Sequence, residues 1–179
     1  MCIVPVRLED YIRSTPDFPQ PGIMFRDFSP LLMDATALDE TIDQLGSLAQ
    51  TVQPDFIVAP EARGFVFGPA IAREAKAGFL PARKPGKLPP DLISHAYDLE
   101  YGTAELQITP FEQLSGARVL LHDDLLATGG TIDALAQLAT RAGAEVVGAL
   151  FLIELTALEG RARLAEHAPA DAIHALIHY

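Results

Sequence analysis

A chain of 179 residues, 49% hydrophobic and 21% charged, has the length and balance of a globular domain that builds its core without staples. A single cysteine, Cys2, excludes a disulfide framework or cysteine metal cage within the chain, and a net charge of −11 excludes a non-specific polyanion binder. Met1–Val6 lacks the basic start and long apolar stretch of a signal peptide and the most apolar run, Val146–Ile153, is too short to span a bilayer, so a soluble, cytoplasmic protein with no membrane or nucleic-acid partner is expected.

Leu8, Tyr11 and Ile12 fit one face of a short N-terminal helix that Pro16 to Gly22 breaks. Leu38, Ile42, Leu45 and Leu48 form a helical stripe read as core packing. Phe56–Ala59 reads as a buried strand, Pro69–Lys76 as a helix and Gly78–Ala82 as another strand. From Arg63 to Lys87 the chain carries Arg63, Arg73, Lys76, Arg83, Lys84 and Lys87 against Glu74 alone, a positive island in an acidic protein. Arg73 and Lys76 fall within the helix and read as a solvated face; Arg83, Lys84 and Lys87 cluster around Pro85 and Gly86 and could clamp a pyrophosphate.

Between Pro85 and Thr103 little periodicity is visible, and a long irregular segment in a compact domain reads as a lid or a mobile loop. The alternation of Tyr97, Leu99 and Tyr101 suggests an excursion of paired strands within it. Strands at Val119–Leu121, Val146–Ile153 and near Ala172–Ile177, with a helix from about Ile132 to Arg141, continue the alternation. The expected fold is α/β, a mainly parallel twisted sheet flanked by helices. From Gly160 onward the chain adds little functional information, and His167, His174 and His178 have no recognised metal-ligand spacing.

The most informative segment is Asp123–Asp124–Leu125–Leu126–Ala127–Thr128–Gly129–Gly130–Thr131, where a strand feeds a helix. A glycine turn can gather backbone N–H groups into a nest, and the following helix adds unpaired donors and its positive dipole end, which suits a phosphate dianion. The preceding carboxylates suit ribose hydroxyls, which donate to them. The same residue types also occur in strand-to-helix turns with no such ligand. His122, just before the acids, is either a satisfied strand histidine or a group that tunes them.

The string Asp123–Thr131 resembles the phosphoribosyl pyrophosphate (PRPP) signature of the type I phosphoribosyltransferases, in the form of the adenine phosphoribosyltransferase branch. The likeness covers about Asp17 to Thr156. It implies one domain over residues 1–179, with a small N-terminal hood at roughly 1–35 and a flexible lid at roughly 85–104. By resemblance, Asp123 and Asp124 hold the ribose, and Ala127, Thr128, Gly129, Gly130 and Thr131 bind the 5′-phosphate. Glu61–Ala62–Arg63–Gly64–Phe65 resembles the pyrophosphate loop, in which the peptide before Arg63, Ala62–Arg63, would be cis.

The same likeness gives Arg63, Arg83, Lys84 and Lys87 to the pyrophosphate, and makes a homodimer expected because the residue matching Arg83 can reach the neighbouring site. Met24, Phe25 and Arg26 resemble the adenine-reading hood, with Leu125 on the opposite face of the base. From its residue type alone, Phe25 could equally be a hydrophobic plug. Leu99–Glu100–Tyr101–Gly102 resembles the lid, with Glu100 handling the proton of the base and Tyr101 helping closure. The implied reaction is adenine plus PRPP giving AMP and pyrophosphate in purine salvage, with Arg63 and Glu100 catalytic and Mg²⁺ arriving largely with PRPP. Alternatives are a transferase for hypoxanthine, guanine or xanthine, and a non-catalytic PRPP-sensing regulator, which would usually need an added DNA-binding part.

Overall fold

The computed structural model describes residues 6–99 and 102–179, so the readings made of Cys2, Glu100 and Tyr101 lie outside the described residues. Two compact units are distinguished, one ending at Gln44 and the other spanning Leu45–Tyr179.

The first unit contains a 3-10 turn at Leu8–Tyr11, strands β1 (Arg13–Pro16) and β2 (Met24–Asp27), helix α1 (Ser29–Met33) and the start of helix α2 (Ala35–Val52). The expected N-terminal helix is therefore a single turn, ending where Ile12 N–H bonds Glu9 O at 3.1 Å. β1 and β2 pair antiparallel with Arg13 opposite Asp27 and Pro16 opposite Met24. Arg-Ser-Thr-Pro has no apolar alternation to announce a strand. Polar pairing reinforces it instead: Arg13 meets Asp27 at 2.5 Å, and Arg26 Nη1 donates to Ser14 Oγ.

Asp27 then accepts from the Ser29 hydroxyl and backbone N–H at the start of α1, bonds that lower its pKa. Asp34 serves α2 similarly through Ala37 N–H at 2.9 Å. The deepest stripe of α2 is Ala37, Thr41, Leu45 and Ala49, all fully buried, whereas Leu38, Ile42 and Leu48 of the predicted stripe are half-buried flanks. Thr41 is tolerated inside because its hydroxyl donates to Ala37 O at 2.8 Å.

In the second unit five parallel strands run in the order β4–β3–β7–β8–β9: β3 Phe56–Pro60, β4 Gly78–Ala82, β7 Arg118–Leu126, β8 Glu145–Glu154 and β9 Ile173–His178. Central strands covered on both faces read as continuous apolar runs, and Ile57–Ala59, Val119–Leu121 and Ala149–Ile153 are all buried. Helix α3 (Gly68–Ala75) carries the chain from β3 outward to β4, and α4 (Gly130–Arg141) carries it from β7 the opposite way to β8. With right-handed crossovers these opposite directions put the two helices on opposite faces. The order thus reverses between β3 and β7, and open α/β sheets bind ligands beyond the carboxyl ends of such a pair.

The excursion of paired strands suggested within the segment from Pro85 to Thr103 is present, starting at Ile93 and running beyond Thr103 to Ile108. Strands β5 (Ile93–Leu99) and β6 (Gly102–Ile108) form an antiparallel hairpin with Tyr97 opposite Ala104. Leu106 and Ile108 enter the core, and Ile93 and Tyr97 pack against it, in the cluster that includes Leu135, Leu138 and Phe151. Packing of Ile93, Tyr97, Leu106 and Ile108 on the core fixes the hairpin that the alternation suggested. Backbone bonds of 2.8 Å in both directions between Arg83 and Gln107 join the hairpin to the chain leaving β4.

Candidate functional site

Pairing between β3 and β7 runs from Phe56–Val119 to Val58–Leu121, and the two chains emerge beside each other past that point. The chain leaving β3 turns sharply at Glu61 and closes a 3-10 turn at Arg63–Phe65. Gly64 makes this possible by its size: a Cβ there would lie 2.6 Å from Pro60 Cδ and 3.2 Å from the His122 carbonyl. The seated turn brings Arg63 Nη2 to 2.6 Å from Asp124 Oδ2, so the predicted pyrophosphate cation and one predicted ribose acid are brought together. The cis peptide of this loop is Glu61–Ala62, one residue earlier than expected. The reversal falls there because Glu61 N–H still bonds Ala82 O, as a strand residue would, while Ala62 O already accepts from Phe65 N–H in the next turn.

The acids are the sixth and seventh residues of β7 rather than part of the loop after it, because pairing with β8 continues through Leu126. Asp124 is 4% exposed; Asp123 keeps partial access to solvent. Burial, then the adjacent Asp124 charge, push the Asp123 carboxyl well above the usual carboxylate range. Burial raises Asp124 as well, with the Arg63 guanidinium pulling the other way. His122 is fully buried, and its Nδ1 lies 3.0 Å from Leu150 O. A carbonyl only accepts, so Nδ1 carries the proton. Nε2 has no hydrogen-bond partner among the described residues, and the ring packs edge-on to Phe67 at 6.3 Å. Burial holds its pKa down at about 4, so the imidazole is neutral at physiological pH and adds no charge beside the acids. Of the two readings of His122, the structure favours the strand histidine, satisfied on one nitrogen only.

Ala127–Gly129 form the turn and Gly130 opens α4, two residues earlier than periodicity suggested. Gly129 takes a left-handed φ of +84°, a conformation L side chains rarely adopt. Asp133 N–H already bonds Gly129 O at 2.9 Å, so the N–H groups of the preceding residues stand at the open helix end.

Arg83 is less free than its place in a basic cluster suggested. Its Nε bonds Glu61 Oε2 at 3.0 Å, the Lys84 backbone N–H donates to the same oxygen at 3.0 Å, and its guanidinium lies 6.0 Å from the Phe65 ring centroid. The Lys84 bond foremost, then Arg83, lower the pKa of Glu61. Lys84 and Lys87 are exposed. A cleft of about 480 Å³ lined by Glu61, Lys84, Tyr97, Thr103 and Glu105 lies here.

Two residues escaped the sequence reading: Glu61 as the partner of Arg83, and Tyr97. The Tyr97 hydroxyl bonds Thr131, and burial, then the charge of Asp123, hold its phenol above the ordinary value. Its alternation with Leu99 was visible, but the contact with the first turn of α4, over thirty positions away, was not. Tyr97→Phe is expected to weaken binding of a phosphorylated ligand at the Asp123–Thr131 segment about three- to tenfold, as fits one neutral hydrogen bond; calorimetry with ribose 5-phosphate checks this.

In the first unit, Met24 is 45% exposed and Phe25 half-buried. Phe25 meets Phe18 edge to face at 5.1 Å, with an interplanar angle of 77°. Leu125, predicted to face it across a base, is half-buried in the second unit.

The model of the phosphoribosyl transferase domain matches residues 36–170. The adenine phosphoribosyltransferase of Pseudothermotoga lettingae is 51% identical over 160 residues, covering 89% of this chain and 94% of that one. The chain belongs to the adenine phosphoribosyltransferase family. Among solved structures, the adenine phosphoribosyltransferase of Thermoanaerobacter pseudethanolicus is similar with a TM-score of 0.89 and 46% identity, covering 96% of this chain and 98% of that one. That of Saccharomyces cerevisiae, in complex with an imino-altritol bisphosphate and adenine, has a TM-score of 0.85 at 35% identity, covering 94% and 96%. The family match spans the Glu61–Phe65 loop, the hairpin and Asp123–Thr131, while β1 and β2 precede it.

Proposed function

We propose that this chain transfers the 5-phosphoribosyl group of PRPP to adenine, giving AMP and pyrophosphate in purine salvage. The observation that carries the reading is the meeting of Arg63 with Asp124 at the β3–β7 switch, directly before the Ala127–Thr131 turn. A ligand with a diphosphate beside hydroxyls beside a second phosphate would match these groups in order, and PRPP has that layout.

In this reading Ala127, Thr128, Gly129, Gly130 and Thr131 hold the 5′-phosphate on backbone N–H groups and hydroxyls. Asp123 and Asp124 accept from the ribose hydroxyls. The bond from C1′ to the diphosphate oxygen breaks with its electron pair leaving on pyrophosphate, so positive charge grows on the sugar and negative charge on the leaving group. Arg63, Arg83, Lys84 and Lys87 stabilise the second, and Asp123 and Asp124 offset the first. N9 of adenine then bonds C1′, and Glu100 takes the proton that this nitrogen gives up. Phe25 and Leu125 are the apolar groups assigned to the base, the backbone at Met24 and Arg26 is assigned to its edge, and Tyr101 to closing the lid.

Asp123, a partly accessible carboxylate, is an oxygen donor of the kind magnesium accepts. When bound with PRPP, the ion would supply charge neutralisation on the diphosphate. A homodimer and a cytoplasmic location belong to the same proposal; among the described residues no helix is long and apolar enough to cross a membrane. Sedimentation at assay concentration tests the dimer, and a monomer with full activity would remove it.

The deciding assay is AMP formation from adenine, PRPP and magnesium, run beside hypoxanthine and guanine, in the parent and in Glu100→Gln and Asp123→Asn. Turnover with adenine alone, reduced in both variants, is the expected result. Turnover with another purine would reassign the base, and PRPP binding without turnover would make the chain a sensor.

A further inference from the structure

The segment following β8 shows an unusual contact. Gly160 has φ −58° and ψ −25°, a conformation open to any residue, so torsional freedom does not explain the glycine. Space does. A Cβ at Gly160 would lie 2.3 Å from Ala127 O, 2.9 Å from Leu126 Cδ1 and 3.1 Å from Gly129 N. Reciprocally, a Cβ at Gly129 would lie 2.7 Å from Gly160 O and 3.3 Å from Gly160 Cα. Two backbones are in direct contact, with no flexible side chain between them to yield.

The contact is anchored on both sides. Next to Gly160, Arg161 forks onto buried Glu154 at the end of β8, with Nε at 2.8 and 2.9 Å from its oxygens and Nη2 at 2.6 Å, and Nη1 donates to Ile173 O at 2.6 Å on β9. Further on, His167 Nε2 lies 2.7 Å from Asp133 Oδ1 in the first turn of α4. Leu155 N–H bonds Leu126 O at 2.9 Å, tying the base of the segment to the end of β7. The turn from Ala127 to Gly129 is thus backed by a corner fastened to β8, β9 and α4.

We infer that the Gly160–Arg161 corner, braced by His167, is a positioning element that fixes the backbone N–H groups of the Ala127–Thr131 turn for the 5′-phosphate. A loop that binds an anion through backbone donors gains affinity when their directions are set beforehand, and displacement of the order of 1 Å is costly. The inference rests on the proposed assignment of that turn to the phosphate.

Gly160→Ala is expected to raise KM for PRPP at least about tenfold while KM for adenine and kcat at saturating PRPP stay within about threefold. Ribose 5-phosphate, measured by calorimetry, should lose affinity by a similar factor. Gly148→Ala is the structural control: its Cβ would fall 2.5 Å from Ala172 O, in the sheet, and it should lower the melting temperature without a PRPP-selective change in KM. Unchanged affinity for ribose 5-phosphate in folded Gly160→Ala, or equal shifts in both KM values, would overturn the inference.

Should Gly160→Ala not melt cooperatively, His167→Ala decides: weaker ribose 5-phosphate binding supports the brace and unchanged binding overturns it. Thr131→Ala separates the two levels. If it leaves ribose 5-phosphate affinity unchanged, the phosphate assignment fails; if it weakens binding and the corner variants do not, the brace alone fails.

Discussion

Replacing Arg63 by alanine is expected to lower kcat/KM for PRPP about 10²- to 10³-fold, the usual cost of removing one donor aimed at developing negative charge. Two losses combine. The leaving diphosphate loses a cation, and Asp124, 4% exposed, loses the guanidinium 2.6 Å away that favours its ionised form. Burial already raises the Asp124 pKa, and without Arg63 it climbs further, so the carboxyl is neutral over a wider pH range and donates where it should accept. The variant should therefore regain part of its kcat/KM as pH rises, a trend steeper than in the parent. Arg63→Lys keeps the charge without the fork and should fall between them. Profiles of kcat/KM against pH for the three proteins check this. An alanine variant within about threefold of the parent, with the same profile, would take Arg63 out of the machinery.

The second large effect is on stability. His122 has its pKa lowered from 6.5 to about 4 by burial, so between those values the unfolded chain binds a proton that the folded chain refuses. Stability is complete above pH 6.5 and is lost as pH falls toward 4. At about 1.4 kcal/mol for each pH unit in the window, the loss is about 3 kcal/mol. Asp123 and Asp124 act in the opposite sense: their raised pKa values make them unfavourable at neutral pH, and acid relieves this. Urea unfolding of the parent and of His122→Leu across this range separates the contributions. Leucine gives up the contact with Leu150 O, a constant offset, so the informative quantity is the difference between the proteins as a function of pH. It should change by about 3 kcal/mol from pH 7 to 4; a flat difference would show that His122 does not titrate as described.

Much of this was legible in the sequence where the physics is local. Phe56–Ala59, Val119–Leu121 and Val146–Ile153 read as strands because a parallel sheet covered on both faces needs unbroken apolar runs. The placement of the acid pair and glycine turn where a strand feeds a helix was legible because these residues are adjacent in the chain. What stayed hidden depends on pairing across distance. The β1–β2 hairpin is reinforced by Arg13–Asp27 and Arg26–Ser14 contacts between residues that carry no strand pattern. Glu61 sits inside a motif that was noticed, yet its hold on Arg83 and Lys84 follows from β3 and β4 lying side by side. Gly160 resembles any loop glycine until the backbone it touches is known. The helix start at Gly130 was misplaced because periodicity registers only apolar side chains, and the first two helical residues are Gly and Thr.

Arg63 and Arg83 each already face a carboxylate of the same chain, Asp124 and Glu61. Chloride or inorganic phosphate approaching either arginine must displace a competitor tethered at high local concentration, with little to gain from a single contact. A donor carrying diphosphate and diol together can engage both arginines and give Asp124 hydrogen-bond donors in exchange. In the proposed assignment such an arrangement would insulate the site from background anions, with selectivity set by how many groups a ligand can replace at once rather than by raw positive potential.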